Sequence, residues 1–227
     1  MKLLLIEDRI KRLEQFTIFD IKVCPAIKLV TGADFETLAS SLTAGSTSGL
    51  ESFGCIAAHR SALTNEMRDT LKEYCRQKKK HLVLFSGGIS SGVFKDLSFP
   101  YLSINSRDFY SANLQLYISN MEQENESNLL MLQFGKNWKL SLLLNLRNQI
   151  AVSQNKEALK KARPAAEITE AELIKRLSDL KINELIRQDL MNENTREILS
   201  GNPFAPVTPG QVSEIKYAIT YRINEML

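Results

Sequence analysis

Five short apolar runs, Leu3 to Ile6, Ala26 to Val30, Gly54 to Ala58, His81 to Phe85 and Tyr101 to Ile104, recur through the first half of the chain and leave few choices for its fold. Each is only four or five residues long, rich in branched side chains and apolar on both faces, as a strand covered on two sides must be. Between them lie segments where apolar residues return every three or four positions: Arg9 to Phe16, Asp34 to Leu42, Leu63 to Lys79 and Asp108 to Ser119. Leu63, Met67, Leu71 and Cys75 show the spacing most clearly, and it is that of a helix with one buried face. Strand and helix in alternation predict an α/β fold with a five-stranded, doubly wound parallel sheet.

After Gln123 the texture changes. Glycine and branched punctuation fade, and a Leu-rich helical pattern takes over, which places a boundary within Met121 to Ser127 and predicts domains at 1–122 and 123–227. The second domain reads as all-helical. Asn137 to Arg163 is one long helix stopped by Pro164, and Thr169-Glu170-Ala171-Glu172 forms a capping motif that opens Glu170 to Leu180. A further helix runs from about Ile182 to a stop at Gly201. Thr208-Pro209-Gly210-Gln211 supplies an N-cap, a proline at the first helical position and a Gln that closes the box, launching a last helix to Leu227.

Composition narrows the function classes. The 44% hydrophobic and 24% charged content is that of a chain able to bury a core. The net charge of +3 divides as +2 on 1–122 and +1 on 123–227, without the basic excess of a dedicated DNA-binding domain. Cys24, Cys55 and Cys75 are odd in number and form no CxxC pair, which argues against a disulfide framework and a structural zinc site and for a reducing cytoplasm. Met1 to Asp8 meets two acids after four apolar residues, too short for a signal-peptide core, and no stretch has the length of a membrane span.

Glu7-Asp8 ends the first strand, at the edge where open α/β sheets gather ligand-binding groups, and paired carboxylates suit a hard divalent cation such as Mg2+. The bland alternative is a charged pair that merely opens a solvated loop. The run Lys2 to Asp8, followed by Phe53 to Ala58, Leu82 to Ser86 and Tyr101 to Ile104, resembles the receiver domain of two-component response regulators, with its flavodoxin-like sheet. The resemblance implies that Glu7 and Asp8 match the magnesium-holding acidic pair and Ser86 the hydroxyl that ends the fourth strand. Two positions depart from the family pattern. His59 falls where the phosphate-accepting Asp stands, and Asn105 falls where a Lys is usual. Without that carboxylate and that cation the site lacks both nucleophile and counter-charge, so the resemblance implies a pseudo-receiver with no catalytic residue. Its pocket would hold Glu7, Asp8, His59, Ser86 and Asn105.

His59 has two readings, a phosphorylated residue or general base on one side and a strand-end residue that bonds its loop on the other. The second is favoured because no acid stands nearby in sequence to orient the ring. Cys55, on the same strand face, would lie about 13 Å away, too far for a Cys-His dyad. Phe85 to Gly92 is a Gly- and Ser-rich turn whose Ser86, Gly87, Gly88, Ser90 and Ser91 are placed to cradle a phosphate. It resembles the loop of PP-loop ATP pyrophosphatases, with Ser90 where that motif has Asp; the competing reading is a tight turn with glycines at positive φ. Arg76 to His81 is the densest basic run, and it sits where cations cap a helix end.

In the second half, Trp138 to Ile150 is too apolar for an exposed helix, and Ile215, Ile219, Ile223 and Met226 form a helical stripe. Core packing is the default for that stripe; a partner-binding face is the functional reading. Together these features predict a non-enzymatic, phosphorylation-independent adaptor or regulatory subunit that binds a protein partner or a second copy of itself. The alternatives are a nucleotide-binding enzyme using Ser86 to Ser91 and a transcriptional regulator with a DNA-reading helical half, for which Glu170 to Met191 has the length of a helix-turn-helix but no marking glycine.

Overall fold

A computed structural model describes residues 2–14, 20–89, 93–95, 101–121, 128–162, 184–202 and 207–227. The chain divides into two compact units, Met1–Lys136 and Asn137–Leu227. In the first, the described strands are β1 (Lys2–Ile6), β2 (Ile27–Val30), β3 (Phe53–His59), β4 (His81–Ser86), β5 (Val93–Lys95) and β6 (Tyr101–Asn105). Its helices are α1 (Ile10–Leu13), α2 (Gly32–Thr43), α3 (Asn65–Lys78), α4 (Ser106–Phe109), α5 (Ala112–Asn120) and α6 (Asn128–Phe134).

The sheet order is β2-β1-β3-β4-β6-β5. Five strands are parallel in flavodoxin-like order, and β5 adds a short antiparallel edge on β6. The five parallel strands are the five apolar runs. The sequence pattern missed β5, because three residues are too few to display a period. Alternate residues feed two cores. Leu3, Leu5, Cys55, Ala57, Val83, Phe85, Leu102 and Ile104 pack with Leu114 and Tyr117 of α5 and Leu129 and Leu132 of α6. Leu4, Ile6, Ile56, Ala58, Leu82 and Leu84 pack on the other face with Leu42 of α2 and Met67, Leu71 and Cys75 of α3. Each such Leu or Ile contributes about 1.5–3 kcal/mol, so the sheet is held from both sides.

Local chemistry sets the helix ends. Thr64 caps α3 by accepting from the Met67 N–H at 3.3 Å, and Lys79 ends it in the left-handed region at φ 51°. The next residue does structural work: Lys80 Nζ donates to the carbonyls of Leu50, Glu51 and Phe53 at 3.0, 2.7 and 2.6 Å. Arg76 pairs with Glu73, and His81 Nδ1 lies 2.9 Å from the Tyr117 hydroxyl. Much of the basic run thus fastens the entry to β3 and the end of α3. Replacing Lys80 by Met should lower stability by roughly 1–3 kcal/mol, since three carbonyls lose a charged donor, and urea denaturation monitored by circular dichroism measures it.

The segment expected as one helix over Asp108 to Ser119 is broken. Ser111 accepts from the Asn113 N–H at 3.2 Å and starts α5 afresh after α4. The first unit also extends past the expected boundary near 122, because α6 adds Leu129 and Leu132 to the core of α5. Gly135 then ends α6 at φ +77°, a left-handed conformation that favours glycine, with Asn113 Oδ1 2.9 Å from where a Cβ would stand.

In Asn137–Leu227 every described element is a helix: α7 (Trp138–Ala162), α8 (Glu184–Leu190), α9 (Arg196–Ser200) and α10 (Pro209–Met226). The capping box at Thr208 is present, with Gln211 N–H donating to Thr208 Oγ1 at 3.2 Å and Thr208 N–H to Gln211 Oε1 at 2.9 Å. The helix expected from Ile182 to Gly201 is two. Thr195 Oγ1 donates to the Leu190 carbonyl at 2.7 Å and Asn192 Oδ1 accepts from Thr195 N–H at 3.0 Å, so side chains take the bonds that would continue α8. The expected helix Glu170 to Leu180, and all but the end of the segment Glu170 to Met191, lie outside the described residues. Among the described residues no helix is long and apolar enough to cross a membrane.

Candidate functional site at the carboxyl edge of the sheet

Strands β1 and β3 are neighbours from which the chain winds in opposite directions, β2 beyond one and β4 beyond the other. Open α/β sheets bind ligands at such a point, outside the carboxyl ends of the strands. Register brings Ile6 of β1 beside Ala58 of β3, so Glu7 and Asp8 emerge next to His59. One ligand-capable atom from each of the three lies within 4.8 Å of the others.

Arg12 holds the acidic pair. Its Nη1 donates to Glu7 Oε1 and to Asp8 Oδ1, both at 2.9 Å, and Nη2 reaches Ser61 Oγ at 3.4 Å. Glu7 is fully buried; Oε1 also accepts the Arg9 N–H at 3.2 Å and Oε2 accepts from the Tyr110 hydroxyl at 3.4 Å. Burial is the dominant influence on its carboxyl and outweighs the guanidinium, pushing its pKa up to about 7. Burial likewise pulls His59 down to about 4, with Arg12 adding to the shift. The ring is therefore neutral near pH 7, and its Nδ1 accepts from Ser61 N–H at 3.3 Å and lies 2.8 Å from Ser61 Oγ. Beneath it, Phe85 stacks on Phe109 at 4.2 Å, and His59 meets Phe85 edge-on at 5.4 Å.

These residues fit a divalent cation poorly. The face that Glu7 and Asp8 share is taken by the guanidinium, Glu7 resists ionisation, and one His59 nitrogen is engaged by Ser61. A metal would have to displace Arg12 from two short charged contacts.

Beside this cluster lies a cavity of about 620 Å³ lined by Arg12, His59, Gly87, Asn105, Ser106, Arg107 and Tyr110. Of the residues expected in the pocket, His59 and Asn105 are in its wall, whereas Glu7, Asp8 and Ser86 do not line it. Asn105 is a brace. Its Nδ2 donates to the carbonyls of Ile89 and Gly87, and its Oδ1 accepts the Arg107 N–H at 2.8 Å, capping α4. Ser86 Oγ accepts from Gly88 N–H at 3.4 Å.

The Ser86 turn differs from the expected one. It closes through Ile89 N–H to the Ser86 carbonyl at 3.3 Å, and neither Gly87 nor Gly88 has positive φ, so the turn does not require glycine for its backbone. Ser90 and Ser91 lie outside the described residues. Ile215, Ile219 and Ile223 are 0%, 0% and 1% exposed, so the stripe expected as a partner face is interior packing of α10, which contacts α7 and α8; Met226 is half-buried. Cys55 and Cys75 are buried thiols pushed up to about 12 by desolvation and have no nucleophilic character.

Sequence reasoning missed Arg12, Ser61, Ser106, Arg107 and Tyr110. A signal for Arg12 was present, since it stands four residues after Asp8 on a helical segment. Nothing local marked the others, which reach the site through β3 and β6. Comparison of the chain with protein-family models, with curated proteins and with solved structures finds no match.

Proposed function

We propose that the first unit is a receiver-like module converted to phosphorylation-independent binding, serving as an adaptor or regulatory subunit in the cytoplasm. Residues 137–227 form its all-helical association domain, which takes a protein partner or a second copy of the chain. The observation that carries this reading is Arg12: one guanidinium nitrogen 2.9 Å from both carboxylates supplies internally the positive charge that a metal would bring. Neutral His59 in place of an acid and neutral Asn105 in place of a cation support it, because neither the strand-end carboxylate nucleophile nor the strand-end lysine of phosphotransfer is present. The engagement of Lys80 and Arg76 within the fold favours this reading over nucleic-acid binding. On the second unit, Tyr217 and Tyr221, one turn apart on α10, are large side chains left 70% and 57% exposed.

The expected result with acetyl phosphate and Mg2+ is an unchanged intact mass and an unchanged melting temperature. A stoichiometric phosphorylated species whose formation requires Asp8 would overturn the proposal. Size-exclusion chromatography with light scattering, and pull-down from the native lysate, then test association: a monomer that captures nothing leaves the adaptor role without support.

A further inference from the structure

The cavity beside Arg12 has a chemistry that the binding reading does not by itself explain. Among the described residues it is walled by two guanidinium-bearing residues, Arg12 and Arg107, and by no carboxylate. Glu7 and Asp8 do not line the cavity but hold Arg12 through Nη1, so Arg12 faces it with its charge partly offset and Arg107 carries the unoffset positive charge of the described wall. Arg107 is exposed, and among the described residues its side chain has no ion pair. Ser106, also in the wall, is 8% exposed, and its hydroxyl is buried without a hydrogen-bond partner. A buried polar group left unpaired in a native protein is uncommon, and a bound water or ion is one of its ordinary explanations.

We propose that this cavity binds the phosphate group of a small organic phosphate non-covalently, with Arg107, Arg12 and Ser106 as its polar contacts. The two arginines enter the wall from different elements, Arg12 from α1 after β1 and Arg107 from α4 after β6, and donors from separate elements suit an anion with several acceptor oxygens better than a planar carboxylate. At about 620 Å³ the cavity exceeds what inorganic phosphate fills and lies in the range of small-molecule sites, leaving room for a sugar or base against His59 and Tyr110. No bond is made or broken. The proposal rests on the reading of this edge as a binding site without phosphotransfer, and it names the ligand class.

Isothermal titration calorimetry of the full chain at fixed ionic strength, with inorganic phosphate, ribose 5-phosphate and adenosine monophosphate as probes, tests it. Saturable binding is expected, tighter for at least one of the two esters than for inorganic phosphate. Arg107→Ala should weaken it at least about tenfold, with Arg107→Lys between, because lysine loses the two-pronged contact. Ser106→Ala should weaken binding while leaving the ligand-free melting temperature equal or higher, since it removes an unpaired buried hydroxyl. No saturable binding of any probe, equal affinity for all three, or affinity unchanged in both alanine variants would each overturn the proposal. Its failure is separable from that of the phosphorylation-independent reading, which is decided by intact mass after acetyl phosphate treatment.

Discussion

A Glu7→Gln protein is expected to be more stable than wild type at pH 8 by on the order of 3 kcal/mol and to show no such advantage at pH 4. The carboxyl is fully buried, and its pKa is raised from 4.5 to about 7. A group raised in the folded state contributes stability below its unfolded pKa and loses it as pH rises through the folded one, here between 4.5 and about 7. Glutamine keeps the shape, accepts from Arg9 N–H and Arg12 through its carbonyl, and can donate to the Tyr110 oxygen. His59 acts in the opposite sense. Its pKa falls from 6.5 to about 4, so its contribution is present above 6.5 and lost as pH falls toward 4. In wild type the two slopes oppose each other between about 4.5 and 6.5, and stability there should be nearly level. With Glu7→Gln the His59 slope stands alone, and stability should rise from pH 4 to 6.5 and then flatten. Urea denaturation at pH 4, 6 and 8 reads both effects; equal stability of the two proteins at pH 8 would show that Glu7 ionises without penalty.

Changing Ile215, Ile219 and Ile223 together to Ser should unfold the helical half of the chain. All three are buried, and large-to-small changes at such sites cost about 2–5 kcal/mol each even before a hydroxyl is buried. The sum, about 6–15 kcal/mol, is comparable to the 5–15 kcal/mol that typically separates folded from unfolded states. A lowered melting temperature with loss of far-ultraviolet helical signal, or aggregation, is the expected outcome. A variant that keeps its helix content and melting temperature would instead place the stripe at an interface between molecules. Tyr217→Ser with Tyr221→Ser, on the exposed side of α10, serves as the contrasting pair and should change stability little.

The stripe illustrates where sequence reasoning stops. Helical spacing identifies which face of α10 is apolar, but the period is the same whether the neighbour is another chain or α7 and α8. His59 is a second case. No acid stands near it in sequence, yet Glu7 and Asp8 reach it because β1 and β3 pair with Ile6 beside Ala58. The break at Tyr110 and Ser111 is a third, since a serine that caps a helix looks in sequence like one on a helix surface.

The sequence by itself determined the five apolar strands of a parallel sheet, the placement of Glu7, Asp8, His59, Ser86 and Asn105 at strand ends, and the capping box at Thr208. These follow from period, branching and hydrogen-bonding groups within a few residues of one another, and such local physics is written into consecutive letters. Only the tertiary structure decided that Arg12 bridges both acids, that Asn105 braces the Ser86 turn, that Ser106 and Arg107 line the same cavity as His59, and that the isoleucines of α10 are core. Each of those depends on which strands pair and which helices cover them. Burial then converts an ordinary carboxylate and an ordinary imidazole into groups with pKa values near 7 and near 4, a change that no residue carries on its own.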